Sequence, residues 1–273
     1  MQFGLFYEWP NPELRNWKTL YGEGVEEIQY SEEMGFDYCL IAEHHFSNYG
    51  NSPAPLLQAL HIGQQTKRIK IATGILVLPI WQPLRLAEEV AVLDNLIDGR
   101  FICGVGRGYQ PHEFGRFGVT VAESRQRFSE SLEGMIKAWT QDESFTYDGE
   151  YIKIPNEVTV WPKPQQKPHP PLWLAGTSVD SMQLAAKWDM MPLTTGAFGG
   201  RWHEGPPGVV DPCTDGPGQV HPWNRLGYAG NHTRGGDRRA SPRTDRIRPL
   251  AKPGGPGSGP AGRNQRKGRR DAL

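Results

Sequence analysis

The chain has 273 residues, 37% of them hydrophobic, and a formal net charge of zero, enough for one large domain or two small ones around a buried core, which excludes a chain that is disordered throughout. No stretch nears 18 consecutive apolar residues, so no membrane span is expected, and the opening MQFGLFYEWP has neither a basic nor an apolar leader region, which makes the cytoplasm the expected compartment. Cys39, Cys103 and Cys213 lie far apart with no metal-ligand spacing, so neither a disulfide framework nor a metal site is expected, and Cys39 and Cys103 read as reduced core thiols.

Residues 1–200 alternate between short apolar runs and amphipathic runs, the rhythm of a parallel sheet. Six strands are predicted: Gln2–Tyr7, Phe36–Ala42, Ile69–Leu78, Phe101–Val105, Leu172–Ala175 and a weaker Met190–Thr195, apolar nearly throughout, as strands covered on both faces should be. A helix is predicted to begin after Gln82-Pro83, to carry Leu86, Val90, Leu93 and Ile97 on one face, and to stop at Gly99. Another carries Phe128, Leu132, Met135 and Trp139, and both stripes read as core-facing surface. FTYDGEYIKI alternates around Asp148-Gly149 and predicts a β-hairpin, followed by the proline-rich WPKPQQKPHPP. This insertion, about 143–170, is expected to serve either as a lid or as a packing arm.

The spacing of the strands predicts a TIM-type (β/α)8 barrel, an α/β fold, made incomplete by having about six strands. Residues 1–200 hold 16 Lys+Arg against 24 Asp+Glu, whereas residues 201–273 hold 14 against 6. The same 73 residues contain 14 Gly, 10 Pro and 12 Arg, a composition that predicts a disordered basic tail, not two further βα units. Two domains are therefore expected, a barrel over 1–200 and a tail over 201–273. Glycine, proline and arginine together are what GC-rich DNA encodes out of frame, so a shifted frame near codon 200 and a native basic tail are both open.

Three runs carry candidate chemistry. Ala42-Glu43-His44-His45-Phe46 ends the second strand, where barrel active sites are built. Neighbours on an extended strand point to opposite faces, so one histidine can face the barrel mouth while the other packs sideways, and both cannot easily ligate one metal. His44 beside Glu43 suits general acid/base work, although a lone histidine is more often a satisfied structural group. Cys103-Gly104-Val105-Gly106-Arg107-Gly108-Tyr109 follows the fourth strand. Its glycines allow close backbone approach and Arg107 offers a fork for phosphate, but the GxGxxG frame is not met, the next helix is expected only near residue 120, and a tight turn with a surface arginine explains the run as well. Ala175-Gly176-Thr177-Ser178 precedes a helix start with Ser181 in its first turn, which suits a phosphate or an ordinary cap. Arg125, in ESRQR, adds a second cation or is a solvated residue.

At these residues the chain resembles the bacterial luciferase-like family of flavin-dependent monooxygenases over roughly residues 1–198. The resemblance rests on MQFGLF, EEMGFDYCLIAEHHF, IATGILVLP, QPLRLAEEVAVLDNLIDGRF, GVGRGY, ESR and PLWLAGTS in that order. It implies a barrel that binds reduced FMN, or in some branches F420, at the carboxyl ends of its strands. Members oxygenate small organic substrates with O2 through a flavin peroxide, or transfer hydride. The resemblance makes His44 the catalytic histidine, as base or peroxide stabiliser, and His45 its supporting neighbour. It places Thr73-Gly74-Ile75 at an unusual non-proline cis peptide under the flavin ring, Arg107, Arg125, Thr177, Ser178 and Ser181 at the phosphate, and Tyr109 along the ring. Gly106 stands where luciferase proper has a reactive cysteine, so light emission is not implied.

Loss of the closing units is expected to expose strand edges and to leave FMN binding weak or absent. The resemblance further implies a flavin reductase as supplier of reduced flavin and a homo-oligomer. F420-dependent hydride transfer is the alternative within enzymes. A nucleic-acid or acidic-partner role for the basic tail is the alternative from another class, disfavoured because the tail has almost no aromatic interleaving.

Overall fold

The structure is a computed structural model in which residues 2–48 and 50–194 are described. They all fall in the first of two units, Met1–Asn231; the second unit, His232–Leu273, and the whole of the basic tail expected over 201–273 lie outside the described residues. No helix among the described residues is long and apolar enough to cross a membrane.

The chain runs β1 (Gly4–Tyr7), α1 (Trp17–Glu33), β2 (Tyr38–Ile41), α2 (Pro55–Gln65), β3 (Lys70–Thr73), β4 (Leu76–Val77), a 3₁₀ turn (Leu78–Ile80), α3 (Pro83–Leu96), β5 (Phe101–Gly106), α4 (Pro111–Arg116), α5 (Ser124–Thr140), β6 (Phe145–Asp148), β7 (Lys153–Val158), β8 (Leu172–Ala175), α6 (Val179–Lys187) and β9 (Met191–Leu193). The main sheet has the order β1-β2-β3-β5-β8-β9, with β4 paired to β5, and every pair is parallel. This is the expected α/β barrel architecture, curled into a half-barrel over the described residues.

The apolar runs are explained by the two faces of the sheet. Cys39, Ile41, Ile71, Phe101, Cys103, Val105 and Leu172 pack outward with the helices. Tyr38, Leu40, Ala72, Ile102, Trp173 and Met191, the alternate positions, form a second cluster on the inner face. Cys39 and Cys103 are buried free thiols, and burial pushes Cys39 up to about 12. Helix α3 begins where the sequence places it: the Gln82 side chain accepts from the Arg85 N–H at 2.6 Å, and Leu86, Val90, Leu93 and Ile97 are buried. Each such side chain removed from water contributes about 1.5–3 kcal/mol. The stripe of α5 meets it, and Trp139 donates its indole N–H to Ala87 O at 2.9 Å.

Two expectations change. The single strand predicted over Ile69–Leu78 is two, because the chain breaks at Gly74–Ile75, whose peptide bond is cis. The break lies against β5 at Gly104, where a β-carbon would sit 1.8 Å from Thr73 O, so only glycine permits the approach. Thr73 Oγ1 donates to Gly104 O at 2.7 Å across the same junction. The helix expected near residue 120 is preceded by α4, opened by Pro111 immediately after the glycine turn.

The hairpin β6–β7 is a packing arm. The buried Glu130 carboxylate on α5 accepts from the backbone N–H groups of Glu150, Tyr151 and Ile152, each at 2.8 Å, and from Gln126 Nε2 at 2.8 Å. Phe145, Ile152 and Ile154 are buried beneath it. No residue of the insertion lines the cavity at the strand ends.

Candidate functional site

The parallel register sets the strand ends level: Tyr7 pairs with Ile41 and Ile41 with Thr73, while Val105 pairs with Leu174. The residues just beyond these ends surround one cavity of about 900 Å³. Its wall includes His44, Gly74, Arg107, Tyr109, Arg125, Thr177, Ser178 and Ser181 among the expected site residues. His45, Thr73 and Gly106 are not on that wall, although Gly106 supports it, since a β-carbon there would come within 2.7 Å of the Ile75 side chain.

The two adjacent histidines lie just past the end of β2 and point apart. His44 Nδ1 lies 3.2 Å from Glu113 Oε1, and the same oxygen accepts the His45 backbone N–H at 2.8 Å. A carboxylate can only accept, so Nδ1 carries the proton and Nε2 faces the cavity, 3.8 Å from Glu8 Oε1. The Glu8 carboxylate, with Glu113, raises the His44 pKa above the usual histidine value against the opposing effect of burial. Tyr109 stands edge-on to the imidazole at 6.1 Å between ring centres.

His45 is turned away. Its Nε2 lies 2.9 Å from Glu43 Oε1, and its ring packs edge-on against Phe117 at 4.8 Å. Glu43 is therefore the partner of His45, not of His44. The Glu43 carboxylate also accepts from Val77 N at 2.6 Å and Trp81 Nε1 at 2.9 Å, which ties the end of β2 to the segment that follows the cis peptide.

At the other end, Ser178 caps α6: its Oγ accepts from Ser181 N at 3.2 Å and lies 2.9 Å from Ser181 Oγ. Gly176 belongs to the same cradle, where a β-carbon would lie 2.4 Å from the Ser181 β-carbon. Arg125 pairs with Asp180 in the first turn of α6. Arg107 is exposed and forms no ion pair among the described residues.

Glu8 and Glu113 were not singled out by the sequence. Glu113 lies 69 positions from His44, and its only local signal is a helix start, Pro111 followed by an acid in the first turn. Glu8 had its position just past the first strand.

Residues 1–199 match the family described as luciferase-like monooxygenase. The chain belongs to that family. Protein y4vJ of Sinorhizobium fredii, an uncharacterized relative of this luciferase-like chain, is 41% identical over 161 residues, 59% of this chain and 45% of the relative. The flavin-dependent trigonelline monooxygenase, oxygenase component, of Acinetobacter baylyi is 30% identical over 190 residues, 68% of this chain and 52% of the relative. Among solved structures, the oxygenating constituent of 3,6-diketocamphane monooxygenase from Pseudomonas putida, in complex with FMN, superposes with a TM-score of 0.64 at 26% identity, covering 71% of this chain and 57% of that one. The luciferase-like chain thus spans about half the length of the curated relatives it matches.

Proposed function

We propose that this chain is a flavin-dependent monooxygenase that uses reduced FMN and O2 on a small organic substrate, the flavin coming from a separate reductase. The observation that carries the reading is the joining, in one cavity, of a phosphate-type donor set at the start of α6 to a histidine whose inner nitrogen is fixed by a buried carboxylate. The residues fit FMN on a structural ground: Gly176 lets Ser181 in the first turn of α6 pack close against the end of β8, and hydroxyls and an exposed arginine line the cavity beside it. A volume of about 900 Å³ also lies within the range of cofactor clefts.

Arg107, Arg125, Thr177, Ser178 and Ser181, with the free N–H groups of α6, would hold the phosphate. Gly74, Ile75 and Tyr109 would border the ring. Bound reduced flavin supplies the two electrons that let one atom of O2 enter the substrate while the other leaves as water. His44 holds or moves a proton at Nε2, and Glu113 keeps the ring in the tautomer that makes this possible. His45 has a different task, supporting Glu43 and the wall behind it.

The sequence alone pointed to weak or absent FMN binding, whereas the cavity that described residues line at the strand ends favours binding. Fluorescence titration of the full chain with oxidised FMN, reduced FMN and F420, alongside a thermal melt, decides between them. Saturable binding of FMN in preference to F420, with a cooperative melt, is the expected result. Preference for F420 would replace oxygenation with hydride transfer, and no binding of either would end the reading. In a chain that binds, His44→Ala should lower kcat by about 10²–10⁴-fold while leaving FMN affinity within a few-fold.

A further inference from the structure

We propose that Glu8 is the specificity-determining residue of the substrate end of this cavity, selecting a small organic cation, such as a protonated amine, carried on an apolar or aromatic body. The inference rests on the flavin reading above, which assigns the opposite end to the phosphate.

Three carboxylates surround the His44 end, and two of them are committed. Glu43 is used by His45, Val77 and Trp81. Glu113 is used by His44 Nδ1 and the His45 backbone. Glu8 is different. The one basic group that pairs with it among the described residues is His44 Nε2 at 3.8 Å, beyond hydrogen-bond length, and neither Arg107 nor Arg125 pairs with it. Its side chain is one-quarter exposed, so a ligand can reach it while bulk water screens it only in part.

Charge and shape agree on the ligand. Glu8 and Glu113 flank a single imidazole, so even with His44 protonated these two carboxylates leave one negative charge uncompensated. Phe6, on the same face of the chain two residues earlier, lines the cavity together with Leu40, Ile75 and Tyr109. A half-buried carboxylate among aromatic and aliphatic walls favours a cationic head on an apolar body over a neutral or anionic one, through charge-assisted hydrogen bonding and cation–π attraction.

The test is a calorimetric titration of the full chain, with and without saturating FMN, using benzylammonium and its neutral near-isostere benzyl alcohol. The wild-type chain should bind benzylammonium at least about tenfold more tightly, and Glu8→Gln should bring the two probes within about twofold. FMN affinity reports the other end and serves as the control. Equal binding of the two probes by the wild type, binding of neither, or a preference that survives Glu8→Gln overturns the proposal. Because the wild-type ratio needs no variant, a misfolded Glu8→Gln would not rescue it. A chain that shows the preference but binds no FMN would sink the flavin reading and leave the role of Glu8 standing.

Discussion

The two ends of the cavity are built on opposite terms. At the His44 end, polar groups are buried and already interlocked: Glu43 and Glu113 each hold more than one donor, and the glycine at position 50 leaves the space the imidazole occupies. At the α6 end the same kinds of group are exposed and satisfy one another, Ser178 with Ser181 and Arg125 with Asp180. On the proposed function, the geometry that proton transfer would need is fixed in advance by the fold, whereas the groups that would bind a phosphate stay near the surface, solvated until a ligand replaces water.

The largest effect should come from breaking the interlocked end. Glu43→Ala leaves the Val77 N–H, the Trp81 indole and the His45 ring without their acceptor inside the protein, a loss of about 3–5 kcal/mol. A fall in denaturation midpoint several times larger than for any single change at the α6 end would bear the comparison out, and equal falls at both ends would erase it. Arg107→Ala is the reciprocal change. It should leave the melt nearly unmoved and weaken FMN binding by about 10–100-fold, the worth of a hydrogen bond to a charged group.

How far this was legible in the sequence follows the same division. Strands covered on both faces read as continuous apolar runs, and the helix stripes of α3 and α5 repeat at helical spacing, so the barrel order followed from local pattern. The α6 end was legible too, because Thr177, Ser178 and Ser181 form a local capping run. The partners of His44 were not: Glu113 reaches it across 69 positions, through a short helix that the glycine turn concealed. Glu43 misled for a related reason. Adjacency in sequence suggested a pair with His44, but the Glu43 carboxylate is taken up by His45, Val77 and Trp81. The cis peptide at Gly74–Ile75 stands where the family resemblance implied one, although the apolar run alone reads as a single strand, and the arm role of the hairpin depends on Glu130, about twenty residues away. The tail, expected over 201–273, lies outside the described residues.

A smaller effect sharpens the contrast through pH. Glu8 and Glu113 raise the His44 pKa in the folded chain above its unfolded value of about 6.5, so the imidazolium adds stability that is fully present below that value. The contribution fades as pH rises through the higher folded pKa. Melting temperature should therefore decline over that alkaline-going window, and His44→Gln should flatten the decline. An unchanged slope in the variant would mean that the carboxylates do not hold the charge.

The smallest effect is expected from Asp180→Asn. Arg125 and Asp180 are both nearly two-thirds exposed, so water and salt screen their attraction and the pair adds less than about 1 kcal/mol to stability. The same carboxylate nevertheless sits in the first turn of α6, where a phosphate would arrive, and it both occupies Arg125 and repels the incoming charge. Removing it should leave the melt unchanged while tightening FMN binding by up to about threefold, more at low ionic strength than at high. Weaker binding in the variant would mean that Asp180 orients Arg125 toward the ligand instead of competing for it, and the exposed end of the cavity would then be as prearranged as the buried one.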